Sequence, residues 1–510
     1  MKIGFSVSFA PCPDRFSAPH RIDQVMLRSA LLAIIAISAA HAADKPNIIL
    51  IYADDLGWGD VSCNGATAVQ TPNIDRIAKE GINFNSGYAT SSTCTPSRFS
   101  LLTGKYAWRQ QGTGVLPGDA AMIIDPAKPT LPAMLKKAGY RTGAVGKWHL
   151  GLGGKEGVNW NQEIKPSPRE LGFDFSHIMA ATGDRVPCVF IEDGKVQNLD
   201  PADPIEVTYK QGFKGYEGLP NGVKDRASLK MDWSQGHNMA VINGIGRIGY
   251  MKGGTKALWN DEEMADHLAG QALRFIRESK DAPFFLYFAM HDIHVPRVPN
   301  PRFVGKTSMG PRGDAIVQAD WQVGEVLRLL DELKLAENTL LIFTSDNGPV
   351  IDDGYKDQAQ EKLGTHKPAG PWSGGKYSIL EGGTRVPFLV RWPARVKPDQ
   401  KSSAIVNQID FAKSFATLTG GDGNFPDSQD VLPALLGESE EGREYNIEHS
   451  GQLAIRMANW KFIPAGPKGK VPDRLINLGK DPSESDNLAE TFPQKMQELK
   501  AKLAEVKGGE

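Results

Sequence analysis

Two pairs of adjacent polar residues, each following a short apolar run, carry the first chemical signal. Asp54-Asp55 comes directly after Asn47–Ala53 (NIILIYA), and Asp346-Asn347 comes after residues 340–344 (LLIFT) and one serine. Carboxylates this close repel each other unless a cation lies between them. Ligands of open α/β sheets collect at the carboxyl ends of the strands, where both pairs would stand. Together the pairs offer four oxygen-bearing side chains, and oxygen-only ligation favours Ca²⁺ or Mg²⁺ over Zn²⁺. Either pair alone reads as a helix cap or a turn; their repetition favours a metal site.

A second signal is Cys94-Thr95-Pro96-Ser97-Arg98, followed by Leu101-Leu102-Thr103-Gly104. Pro96 and Ser97 suit a helix start. Cys94 would then stand at the amino end, where free N–H groups and the helix dipole favour an anion. A lone Cys also fits a buried structural thiol or half a disulfide. A thiol-protease reading needs a His poised as base, and none of its usual local signatures is present. A single Lys on a loop reads as a solvated charge, and a single His as a hydrogen-bonded structural group.

These residues need elements to hold them. The run at 47–53 is continuous and apolar, as in a parallel strand buried on both faces. Similar runs fill 284–290 (FFLYFAM), 340–344 and 388–392, with a shorter one at 142–145. Helical patterns mark 73–80 behind Pro72, 132–138 and 314–333, the last with Ile316, Trp321, Val323, Val326 and Leu330 along it. Strands alternating with helices predict an α/β sheet covered on both faces. The stretch 184–260 is rich in Gly, Asp and Lys and weakly periodic, which predicts long loops over one end of the sheet. After Gly437 the pattern changes, and 454–463, 475–478 and a helix at 493–506 predict a small α+β appendage. The chain is thus expected to comprise an N-terminal extension and signal peptide (1–42), a catalytic domain (43–436) and a C-terminal subdomain with a small antiparallel sheet and a helix (437–510).

Composition narrows the classes. With 58 Lys+Arg against 60 Asp+Glu, the chain lacks the basic excess of a dedicated nucleic-acid binder. Four Cys are too few for a disulfide framework, and Cys63 and Cys188 are read as unpaired. Residues 31–42 (LLAIIAISAAHA) follow Arg28 and end in Ala40-His41-Ala42, the pattern of a secretory signal peptide cleaved near Ala42. The run is shorter than the about 20 apolar residues of a membrane helix. The mature chain is expected to be exported, periplasmic or secreted, without a membrane span. Met26, just before this run, would make residues 1–25 a mis-assigned start extension.

The Cys94 motif, continued by Leu101-Leu102-Thr103-Gly104-Lys105, resembles the signature of type I sulfatases. These are arylsulfatase-like, formylglycine-dependent enzymes of the alkaline phosphatase superfamily. Gly146-Lys147-Trp148-His149-Leu150-Gly151 looks like the family's second signature. His291-Asp292-Ile293-His294-Val295-Pro296 follows a strand where the family keeps a catalytic His. Gly374-Gly375-Lys376 and Glu381-Gly382-Gly383 resemble its late Lys motif, and Asp481-Pro482-Ser483-Glu484 with Asn487-Leu488 its usual ending. The resemblance extends over most of the mature chain. It implies a large mixed β-sheet sandwiched by helices, alkaline phosphatase-like, with a smaller C-terminal α+β subdomain. It also implies that a maturation enzyme converts Cys94 to formylglycine (3-oxoalanine). One Ca²⁺ would be held by Asp54, Asp55, Asp346, Asn347 and the residue at Cys94.

The implied reaction is hydrolysis of a sulfuric ester, of a sulfated saccharide or an aryl sulfate. Hydrated formylglycine is a geminal diol; one hydroxyl, lowered in pKa by Ca²⁺, attacks sulfur, and Asp346 accepts its proton. Lys147 and Lys376 surround the sulfate oxygens with charge. His294 or Lys376 protonates the leaving oxygen. His149 takes the proton of the second hydroxyl, which expels sulfate, and Arg98 holds the formylglycine and its neighbouring carboxylates. His291 is read as structural, Trp148 as packing, and His237 and His366 as pocket lining or loop caps. Export points to sulfated saccharides. The competing readings are a phosphonate monoester or phosphodiester hydrolase of the same superfamily and a non-catalytic carbohydrate-binding relative. The last is disfavoured because every position of the matched motifs is filled.

Overall fold

The computed structural model describes residues 1, 3–11, 45–210, 214–466 and 471–508. The chain divides into two units, Met1–Lys45 and Pro46–Glu510. In the first, residues 3–11 form neither helix nor strand. The expected leader at 31–42, its cleavage point near Ala42 and Met26 lie outside the described residues. Among the described residues, no helix is long and apolar enough to cross a membrane.

A ten-stranded mixed sheet organises the second unit. In chain order its strands are β1 (Asn47–Ala53), β2 (Ile82–Phe84), β3 (Arg141–Lys147), β4 (Phe175–Met179), β5 (Phe190–Glu192), β6 (Lys195–Val196), β7 (Phe284–Ala289), β8 (Thr339–Ser345), β9 (Phe388–Arg391) and β10 (Gln400–Ser402). Across the sheet the order is β10-β2-β9-β8-β1-β7-β3-β4-β5-β6. The central strands β8, β1, β7, β3 and β4 run parallel, and β9 and β5 flank them antiparallel. Strands β1, β7 and β8 are buried at every position, as their unbroken, chiefly apolar runs require.

Helices flank this sheet: α1 (Pro72–Lys79), α2 (Cys94–Thr103), α3 (Leu131–Lys137), α4 (Met264–Ser279), α5 (Gly310–Glu332) and α6 (Phe411–Thr419). They pack in two groups, α1 with α5 and α4, and α2 with α3 and α6. Pro72 opens α1, where its missing N–H has no helical partner to lose. The next two N–H groups donate to Asp320 of α5 at 2.9 and 2.8 Å.

Three differences from expectation have local causes. Helix α5 starts at Gly310, not 314, with Pro311 in its first turn; Asp314 accepts from the Gly305 and Thr307 N–H groups instead, at 2.7 and 2.8 Å. Helix α4 was not anticipated, although Leu268, Ala269, Ala272, Phe275 and Ile276 form its buried stripe. The stretch 184–260 is not all loop. Asp193-Gly194, with φ of 49° and 83°, makes the two-residue turn that folds β5 onto β6 and widens the sheet.

A four-stranded antiparallel sheet follows: β11 (Asn446–His449), β12 (Leu453–Met457), β13 (Trp460–Ile463) and β14 (Arg474–Asn477). The segment expected at 454–463 is the β12–β13 hairpin. Helix α7 (Pro493–Gly508) lays Leu499, Leu503 and Val506 against Ile447, Ile455, Phe462 and Leu475. On the same sheet Lys461 is fully buried among Glu381, Glu448 and Glu484, at 3.1, 2.9 and 3.1 Å. Burial disfavours its charge, but these three carboxylates hold its pKa well above the ordinary lysine value. Removing one partner of a buried ion cluster strands the others. Lys461→Ala should therefore lower unfolding stability by about 3–5 kcal/mol in urea titration; a loss below about 1 kcal/mol, the scale of an exposed pair, would show the cluster to be dispensable.

Candidate active site

The parallel register brings the reactive residues to one edge. Ala53 of β1 pairs with Ser345 of β8, Tyr52 with Ala289 of β7, and Ala289 with Gly146 of β3. Asp54-Asp55, Asp346-Asn347 and the loop after β7 therefore leave the sheet side by side, next to Lys147. Gly146 is obligatory here: its φ is 104°, and a Cβ would lie 1.8 Å from the Ala289 carbonyl oxygen. Helix α2 begins at Cys94, and Thr95 Oγ1 ties that end to the His149 carbonyl at 3.0 Å.

Ion pairs knit the cluster. Lys147 Nζ lies 2.5 Å from Asp54 Oδ2 and 3.7 Å from Asp346 Oδ2. Arg98 donates to Asp346 Oδ2 through Nη2 at 2.7 Å and Nε at 3.0 Å, and to the Lys147 carbonyl and Tyr287 hydroxyl through Nη1. Lys376 Nζ donates to Asp55 Oδ2 at 2.8 Å and to Asp353 Oδ2 at 2.7 Å. Asn347 Nδ2 donates to Asp55 Oδ1 at 2.8 Å.

These cations do not satisfy every oxygen. Asp54 Oδ1 and Asn347 Oδ1 are buried without a hydrogen-bond partner. Burial first, then Asp346, raises the Asp54 carboxyl well above the usual carboxylate range, and burial also raises Asp55, helped by Asp353 and Asp346. Asp346 goes the other way: burial would raise it, but Arg98 and then Lys147 hold it below its ordinary value. Ligand atoms of Asp54, Asp55 and His294 all lie within 4.8 Å of one another. Orphaned oxygens, carboxylates in need of positive charge and one imidazole fit a divalent cation. His294 is the member that the two strand-end pairs do not foretell.

The histidines present defined faces. His149 Nε2 lies 2.9 Å from the Leu116 carbonyl, which can only accept, so Nε2 carries the proton. Its Nδ1 lone pair then faces Cys94 Sγ at 3.3 Å. Burial, then Lys147, keeps this imidazole neutral. Burial likewise pushes the Cys94 thiol up, although Lys147 and Lys376 pull it down. His294 Nδ1 donates to the Val295 carbonyl at 2.7 Å, which leaves Nε2 3.8 Å from Asp55 and 4.0 Å from Asp353. Burial and then Lys376 hold it neutral too. Asp55, His149 and Tyr377 have φ of 59°, 56° and 70°, strain of the kind that clusters at functional sites.

The other singled-out residues lie around this centre. His291 Nε2 accepts the Gly183 N–H at 3.1 Å. His237 Nε2 donates to Asp184 at 2.9 Å, and His366 bridges to Asp60, itself held by Arg312. Trp148 is buried against Phe173. Cys63 and Cys188 are free thiols. Asp353 has no sequence signal: nothing in its neighbourhood forms a motif, and it meets Lys376 only through the fold.

A buried carboxylate cluster ready for a divalent cation, walled by two lysines and an arginine, suits hydrolysis at a tetrahedral oxyanion. On an alkaline phosphatase-like sheet this defines an ester hydrolase of that superfamily. Sequence comparison names the branch. The family model "Sulfatase" matches residues 46–421, and "N-sulphoglucosamine sulphohydrolase, C-terminal" matches 375–508. The chain belongs to the sulfatase family and is a sulfuric ester hydrolase. It is 51% identical to an N-acetylgalactosamine-6-O-sulfatase of Bacteroides thetaiotaomicron over 91% of this chain and 94% of that one. It is 31% identical to human arylsulfatase A over 93% of this chain and 89% of that one. A solved 6S-sulfatase, described with the metabolism of multiple glycosaminoglycans by Bacteroides thetaiotaomicron, superposes with a TM-score of 0.87 at 50% identity, covering 91% of this chain and 99% of that one. The phosphonate-hydrolase and non-catalytic readings are thereby set aside.

The fit to a cation has a thermal consequence. A ligand that binds only the folded state raises its melting temperature. Ca²⁺ added to chelator-treated protein should raise Tm, and Asp54→Asn should remove most of that shift. An unchanged Tm on Ca²⁺ addition would mean that protons, not a cation, neutralise these carboxylates.

Proposed function

We propose that this sulfatase removes sulfate from sulfated saccharides, using formylglycine formed at Cys94 and one Ca²⁺. The observation that carries this reading is the setting of residue 94. It starts a helix, meets the unprotonated Nδ1 of His149 at 3.3 Å, and lies within electrostatic reach of Lys147, Lys376, Asp346 and Asp54, the charges that a sulfate ester and a cation would meet. The sugar class follows the Bacteroides relative, named for a sulfated N-acetylgalactosamine.

Formylglycine supplies a hydroxyl nucleophile when hydrated, and Ca²⁺ lowers that hydroxyl's pKa and offsets the sulfate's charge. The ligand set would be Asp54, Asp55, Asp346, Asn347 and residue 94, with His294 beside them. Arg98 fixes the Asp346 carboxylate from two nitrogens and keeps it ionised, so Asp346 is the base left for the attacking hydroxyl. Lys147 and Lys376 bring preorganised positive charge to the sulfate oxygens. His149, with Nδ1 unprotonated and facing residue 94, would accept the proton of the second hydroxyl. Lys376 and His294 converge on Asp55 and Asp353, and protonation of the leaving oxygen belongs to this pair. Lys376 already carries a proton, since Asp55 and Asp353 outweigh the effect of its burial. Burial and Lys376 hold His294 neutral in this structure.

The apolar run at 31–42 supports export, periplasmic or secreted, after cleavage near Ala42. Residues 43–436 would form the catalytic domain, and 437–510 a subdomain that closes one side of the site. A maturation enzyme is a required partner.

Mass spectrometry of the peptide containing Cys94, from the native host, should find the aldehyde. Cys94→Ala should lower kcat by on the order of 10⁴ or more while the protein stays folded. Retained turnover in that variant would sink the assignment of residue 94.

A further inference from the structure

Tyr377 stands apart from its surroundings. Its neighbour Lys376 is 8% exposed, whereas Tyr377 is 56% exposed. Its φ of 70° lies in the left-handed region that side chains other than Gly, Asn and Asp seldom adopt. Such strain persists only where the surroundings over-determine it, and here they do. The Tyr377 N–H donates to the Ser92 carbonyl at 3.0 Å. Its carbonyl accepts from Ser450 Oγ, just after β11, at 2.8 Å. Its hydroxyl donates to Asp353 Oδ1 at 3.1 Å, while the other oxygen of Asp353 holds Lys376. Lys376 Nζ lies 5.4 Å from the ring centroid.

The backbone is thus pinned from both sides to hold an aromatic ring in solvent beside an active-site lysine. Among the described residues the ring belongs to no hydrophobic cluster. A single exposed aromatic is ordinary; one on a strained, doubly clamped backbone beside the site is not. The matching ligand has an apolar face rimmed by hydroxyls, and a pyranose ring is such an object. Tyr offers flat contact area at low conformational cost, with two χ angles to fix. We infer that Tyr377 is a stacking platform for a pyranose ring of the ester, with Asp353 setting the angle of the platform. This rests on the saccharide reading above.

Steady-state kinetics on a 6-O-sulfated N-acetylgalactosamine saccharide test it, with melting temperature as the check on folding. Tyr377→Ala should raise KM about tenfold with kcat within about twofold. Tyr377→Phe and Tyr377→Trp should keep KM within about threefold, since both retain a platform. Tyr377→Gly accepts φ of 70° without strain, which guards against misfolding, and it should be as poor as Tyr377→Ala. Recovery of KM in the Gly variant would assign the role to the backbone and overturn the proposal. So would an unchanged KM in the Ala variant, or a loss confined to kcat, which would mean a displaced Lys376. If the unaltered enzyme cleaves an aryl sulfate but no sulfated saccharide, the substrate reading fails before any variant is made, and the platform falls with it.

Discussion

Asp54, Asp55 and Asp346 are buried together at the ends of two neighbouring strands, and their repulsion is the constraint around which the rest of the molecule is arranged. Two like charges 4 Å apart cost about 4 kcal/mol at an effective dielectric near 20. Parallel pairing makes the crowding unavoidable, because β1 and β8 end in register. Each compensating cation comes from a different part of the fold. Arg98 arrives one turn into α2, Lys147 at the last position of β3, and Lys376 from the loop between β8 and β9. The close approach of β3 to β7 at Gly146 belongs to the same solution, since it delivers Lys147 to Asp54.

The small sheet takes part in this arrangement. The segment from Lys376 to Arg385 is fixed at its start on Asp55, at Glu381 on Lys461, and at its end, through Arg385, on Tyr88. In between, Ser450 holds the Tyr377 carbonyl and Glu484 accepts the Glu381 N–H. The strands after 446 therefore position an active-site lysine without contributing one. The buried cluster at Lys461 is the mechanical end of the link whose chemical end is Lys376.

What could be read from the residues alone follows the range of the interactions. β1, β7 and β8 were legible because a strand buried on both faces is apolar throughout, and their polar ends marked the site. The Cys94 helix start was legible from Pro96 and Ser97. β2 and β10 have three residues each, too few for a period to show; β2 exists because β9 offers an edge, and β10 because β2 then offers another. The β5–β6 turn had its signal in Asp193-Gly194, masked by a stretch full of similar residues. Helix α4 carried an apolar stripe diluted by Asp266, His267 and Arg274. Asp353 was not legible, because its place beside Lys376 is created by tertiary folding and leaves no periodic or spaced trace; Tyr377 follows Lys376 directly, but its exposure and left-handed backbone have no signal in the residue order.

Cys94 is 1% exposed, lying between His149 and the carboxylate cluster. An enzyme cannot reach a side chain so placed without opening the α2 end of the sheet. On the reading proposed above, maturation of this residue therefore needs that end of the sheet open. A copy in which that end closes first would keep residue 94 enclosed as the thiol.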